Sequence, residues 1–251
     1  MTKYNNSPII EAVCEIRFTE DTDWDLTVPG LVFEDISAQY PKKEQRTTQE
    51  IRFSPGLSGA KSATGQIKRS DFAVFYKDDR KAFIQIGPRI LATSKLKPYK
   101  TWDDFKSQIS YAFEKLHGRV ELKGIQRIGL RYINMINIPI KDGVVEEDNY
   151  FEFRPNYGPK LPQVHADFMV STLFTFHDAR DLCKVELSTA MPEVKESMSF
   201  RLSIDYFLAE PRSVPVNKSM EWLEDAHTEI ETLFEGCILP PLREIFEEVK
   251  E

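Results

Sequence analysis

The chain has 251 residues, of which 41% are hydrophobic and 17 are Phe, so it can bury a sizeable core as one large domain or two small ones. Its formal charge of −7 argues against generic wrapping of duplex DNA, since that affinity comes from Lys and Arg neutralising phosphates. No apolar run approaches the roughly 20 residues needed to cross a bilayer. The MTKYNNSPII start lacks the layout of a secretory signal, so a cytoplasmic protein with no membrane partner is expected. Cys14, Cys183 and Cys237 include no CxxC pair and sit in apolar surroundings such as AVCEI. They read as small buried hydrophobes, with neither disulfide nor zinc expected.

The first strand is expected from Pro8 to Thr19, with Ile10, Ala12, Cys14, Ile16 and Phe18 on one face and Glu11, Glu15 and Arg17 on the other. Leu26 to Tyr40 reads as a helix, with Pro29 in its first turn and Pro41 as its stop. Three strands follow, from Glu44 to Ser54, Gln66 to Lys77 and Lys81 to Lys95. The first two are separated by SPGLSGAKSATG, whose composition predicts a mobile loop. SKLKPYK, with Arg89 just before it, could offer charge plus stacking to a nucleic acid, but a solvated loop is the favoured reading. Thr101 is placed to cap a helix whose stripe is Trp102, Phe105, Ile109, Ala112, Phe113 and Leu116.

Gly124 to Ile140 reads as one long central strand. Ile128, Leu130, Tyr132, Ile136 and Ile138 line one face; Arg127, Gly129 and Arg131, then Ile133 and Met135, line the other. Ile133 and Met135 require a cover, supplied preferentially by the connection from Lys141 to His165 and otherwise by a second copy of the chain. Strands return at Asp167 to His177, Leu182 to Ala190 and Ser197 to Ala209. Ser219 is expected to cap a helix ending at Gly236, and Pro240 and Pro241 start a last short one. The order strand, helix, three strands, helix is followed by strand, long connection, three strands, helix. The reading is an α+β fold, an antiparallel sheet layered with helices, in one domain over residues 1–251 with pseudo-repeated halves of about 1–120 and 121–251.

Catalytic signatures are missing. His117, His165, His177 and His227 form neither HxH nor HExxH, so no metal is expected, and there is no GxSxG elbow or GxGxxG turn to imply a cofactor. GLSGAKS lacks the spacing and the following helix of a phosphate loop. His227 borders an apolar helical stripe and reads as a buried neutral histidine bonded to a backbone carbonyl. His177 and Asp178 are adjacent at a strand end, which is weak support for an oriented dyad.

PIIEAVCEIRF, GLRYINMINI and WLEDAHTEIETLFEGCI resemble three signatures of the sporadically distributed bacterial protein family that carries only a TIGR number, and together they span nearly the whole chain. The resemblance implies a stand-alone cytoplasmic bacterial protein, with a patchy occurrence of the kind seen for defence or mobile-element genes. It brings no catalytic residues. Met135 departs from the pattern, because a basic residue often follows RYIN in that family.

The remaining candidate is a charged strip. Arg127 and Arg131 are about 13 Å apart at roughly 3.3 Å per residue, too far for one phosphate to sit directly between them. Glu11 and Glu15 have the same spacing on the first strand, so acids and bases would interleave if the two strands pair. With Arg201 and Asp205, these six residues are the expected lining of a ligand or partner groove. The favoured function is binding or regulation of a protein partner, without catalysis. The alternative is an enzyme or sensor for a phosphorylated ligand or nucleotide; the net charge does not support nucleic acid, and a homodimer stays open.

Overall fold

The computed structural model describes residues 3–54, 64–140, 145–192 and 194–249, with the side chains of 48–54 and 64–69 left aside. The chain runs β1 (Ile9–Phe18), α1 (Val28–Ile36), β2 (Lys42–Ser54), β3 (Thr64–Tyr76), β4 (Ala82–Gly87), β5 (Ile90–Leu96), α2 (Trp102–His117) and β6 (Ile125–Pro139). After a long connection come β7 (Met169–Phe176), β8 (Asp181–Ala190), β9 (Ser197–Leu208), α3 (Ser219–Cys237) and α4 (Pro240–Ile245). The fold is α+β: the described residues form one nine-stranded sheet, ordered β2-β3-β4-β5-β1-β6-β9-β8-β7, with every neighbouring pair antiparallel.

Period-2 patterning sets which way each strand faces. Ala12, Cys14, Ile16 and Phe18 of β1 lie beside Tyr132, Leu130, Ile128 and Ile125 of β6, and all are buried. Phe200, Leu202, Ile204 and Tyr206 continue this face across β9. The helices α1 to α4 all bury residues in that same cluster, including Ile36, Phe105, Leu223 and Leu242. The other face carries only a small separate cluster of Val74, Tyr76 and Phe83, to which no described helix contributes. All four described helices therefore lie on one side of the sheet.

Three expectations change. The single strand from Lys81 to Lys95 is a hairpin, because the Gly87-Pro88 step interrupts it: proline cannot donate to a ladder, and Arg89 takes a left-handed φ of 56°. Ser219 does not cap α3; its hydroxyl donates to the Val216 carbonyl and it forms the first residue of the helix. The first helix is shorter than expected, although Tyr40 beyond it stays buried. Thr101 caps α2 as expected, its Oγ accepting from the Asp104 amide at 3.2 Å. The expected mobile loop and its GLSGAKS segment fall mostly outside the described residues. Among the described residues no helix is long and apolar enough to cross a membrane.

Candidate functional site

The helix-free face has a regular grid set by strand register. Glu15 of β1 lies beside Gly129 of β6 and then Phe207 of β9; Val13 lies beside Arg131, Asp205 and Lys184. Glu11 lies beside Ile133, Ser203 and Glu186, and Met135 pairs with Arg201. All six expected residues therefore share one sheet face. None of them lines either of the two clefts described below.

Arg127 sits between two carboxylates. Its guanidinium lies 3.4 Å from Glu15 Oε1 and 3.3 Å from Asp205 Oδ2, with its carbon 4.5 Å from the centre of the Phe207 ring. Glycine at 129 makes this arrangement fit, since a Cβ there would come within 2.7 Å of Arg127 Nη1. Side-chain exposures of 27% for Arg127 and Glu15 and 25% for Asp205 show that the three shield one another. Burial pushes the Asp205 carboxyl above the ordinary aspartate range, and Arg127 and Arg131 pull it partly back. Arg17 Nε adds a 2.8 Å contact to Glu15.

Arg131 and Arg201 are less engaged. Among the described residues Arg131 donates one hydrogen bond, from Nε to Ser203 Oγ at 2.9 Å. Arg201 is 45% exposed at its side chain and reaches Glu186 only at 3.8 Å. Glu186 is held mainly by Lys184 at 2.6 Å, which keeps its carboxyl below the usual glutamate range. Glu11 makes no ion pair among the described residues. Across the strip, five cations (Arg17, Arg127, Arg131, Lys184, Arg201) face four carboxylates (Glu11, Glu15, Glu186, Asp205), a local excess of positive charge on a chain of net charge −7.

Ile133 and Met135 are half-buried within this face. Among the described residues of the long connection, Phe151 is not available to cover them: it packs against Phe200 and bridges to Ile238, on the helix side. The basic cluster around SKLKPYK is also dispersed. Lys95 pairs with Asp104 of α2 at 2.8 Å, and Tyr99 bonds the Tyr132 hydroxyl at 3.0 Å, so neither offers a stacking surface.

Two polar groups inside the helix layer have partners that the sequence does not reveal. His227 stacks on Trp102 with ring centres 4.3 Å apart and has Nδ1 3.2 Å from the Tyr132 hydroxyl, where a backbone carbonyl was expected. Its Nε2 lies 3.2 Å from Glu231 Oε1, one helical turn on. Asp181 is fully buried, accepting from Trp222 Nε1 at 3.0 Å and from Arg180. His177 and Asp178 both take left-handed φ in the turn before it, and His177 Nε2 is 4.0 Å from Asp181. The place of His227 beside the apolar stripe of its helix was visible, but Tyr132 and Trp102, which it meets, belong to elements distant in sequence.

Two open clefts, of about 560 and 570 Å³, lie elsewhere. One lies against Trp24, Phe72 and Pro88, the other against His117, Lys123 and Arg212. Neither includes a residue of the strip. Among the described residues no group of three His, Cys, Asp or Glu is placed to hold a metal ion. Compared with family models, with curated proteins and with solved structures, the chain matches none.

Proposed function

We propose that this chain is a binding or regulatory protein that holds a partner protein on the helix-free face of its sheet. The observation that carries the reading is the unequal engagement of the arginines. Arg127 is locked between Glu15 and Asp205, whereas Arg131 and Arg201 keep unused donors on the same face. A guanidinium fork binds carboxylates bidentately, so the partner is a segment carrying acidic side chains with apolar neighbours that cover Ile133 and Met135. Arg127, Glu15 and Asp205 position the face; Arg131 and Arg201 make contact. Glu11, which has no ion pair of its own among the described residues, sets the acidic limit of the strip.

The strip runs along the junction of β1 and β6. Outward from that junction the orders β5-β4-β3 and β9-β8-β7 mirror each other, which supports reading residues 1–120 and 121–251 as duplicated halves with the binding face at their seam. The resemblance to the sporadic bacterial family fits a defence or mobile-element setting and a cytoplasmic location. A phosphorylated-ligand enzyme is the weaker reading, because the strip lies on an open sheet and outside both clefts.

The test is affinity capture from host lysate with the native chain and with R131Q/R201Q, followed by direct titration of the captured protein. The double variant should lose the partner at unchanged folding stability. Capture that survives the double variant, or a small phosphorylated molecule retained in native mass spectrometry, would overturn the proposal.

A further inference from the structure

The two edges of the sheet differ in chemistry. β2 reads KKEQRTTQEIRFS, charged along its length, whereas β7 reads MVSTLFTF, with no charge, no proline and no bulge against β8. Natural edge strands are normally blunted by such devices, because bare amide and carbonyl groups invite another strand. Met169, Leu173 and Phe174 are 64%, 54% and 38% exposed. The Thr189 amide donates to the Phe168 carbonyl, which makes the even-numbered residues of β7 the ones bonded to β8. Met169, Ser171, Leu173 and Thr175 therefore direct their N–H and C=O groups away from the sheet.

We infer that β7 pairs antiparallel with β7 of a second copy of this chain, about a two-fold axis through Thr172. This register uses all four outward-facing residues, pairing Met169 with Thr175 and Ser171 with Leu173 of the other copy. It also sets Val170 against Phe174 and Thr172 against itself, an aromatic with a β-branched residue and a threonine pair, both favourable across strands. The strand has no charge to repel its own copy, and just beyond its ends Asp167 of one copy approaches His177 of the other. A two-fold contact is self-complementary and closes, so it stops at a dimer. Both sheets then join edge to edge, with the two charged faces left open. An eight-residue edge buries less than a standard interface, so the dimer forms in a concentration-dependent equilibrium.

Sedimentation velocity over a range of concentrations reads the association, and a cysteine pair reads the register. Thr172→Cys places two thiols across the axis at a Cα separation of about 4.5 Å, within disulfide reach. Mild oxidation should yield a reducible band at twice the 29.1 kDa chain mass. Val170→Cys, whose counterpart lies about 13 Å along the strand, should not cross-link. Ser171→Pro removes an outward amide without touching the β8 ladder and should weaken association about tenfold or more. Leu173→Glu serves as a second variant should the proline perturb folding, and it should also weaken association. A chain that stays monomeric throughout, as expected if a different protein's strand occupies this edge, overturns the inference. So does Val170→Cys cross-linking as readily as Thr172→Cys.

Discussion

Replacing Gly129 by Ala puts a methyl group within 2.7 Å of Arg127 Nη1, in a backbone conformation that any residue can adopt. The guanidinium, the far end of a flexible side chain, must then shift and loosen its contacts with Glu15, Asp205 and Phe207. Two partly shielded ion contacts are worth about 0.2–1 kcal/mol each. The cation–π contact is worth about 0.5–1 kcal/mol. Complete loss of these contacts would cost about 1–3 kcal/mol, which is the upper bound for Gly129→Ala. In an Arg127→Ala background the clash is gone, and Gly→Ala should stabilise by about 0.4–1 kcal/mol through the unfolded chain. Urea unfolding of the two single variants and the double variant reads the coupling, expected as a smaller cost of Gly129→Ala once Arg127 is gone, by up to about 2 kcal/mol. Equal costs of Gly129→Ala in both backgrounds would show that glycine is not there to seat the arginine.

Asp181→Ala leaves Trp222 Nε1 and the Arg180 guanidinium without their buried acceptor, and should lower stability by about 3 kcal/mol in urea unfolding. Glu186→Gln should destabilise at neutral pH and become neutral in acid. The carboxyl is held below its ordinary range, so its contribution is present above the unfolded value and is lost as pH falls through the lower folded one. Asp205→Asn should act with the opposite slope. Its folded value is raised above the ordinary 3.8, so native stability falls as pH rises through that window, and the asparagine variant should lose this slope in unfolding measured across pH. The Cys183 and Cys237 thiols are pushed up to about 12 by burial, and Cys14 rises further, so a thiol reagent at neutral pH should react with all three only on unfolding.

The sheet was legible because β1, β6 and β9 alternate cleanly, each with one face that must be buried. The split of the Lys81 to Lys95 segment was missed because apolar residues flank Gly87-Pro88 on both sides, so the turn signal competed with an unbroken run. Arg127, Arg131, Glu15 and Asp205 could be assigned to one face from period alone. Which arginine is locked and which is available could not, because that depends on Glu15, Gly129, Phe207 and Asp205 meeting across β1, β6 and β9. The connection from Lys141 to His165 was expected over Ile133 and Met135, but its Phe151 is drawn to the helix side by Phe200, a strand partner the sequence does not reveal. The His227 and Asp181 contacts were likewise hidden, since each joins a helix to a strand far away in the chain.

Hydroxyl-radical footprinting of the chain alone and in complex with its captured partner protein tests the binding face most directly. Met135, half-buried on the strip, should lose reactivity on binding, while Met191, 90% exposed outside it, should keep its own. Protection of residues around the two clefts, with Met135 unchanged, would contradict the assignment of the open sheet face.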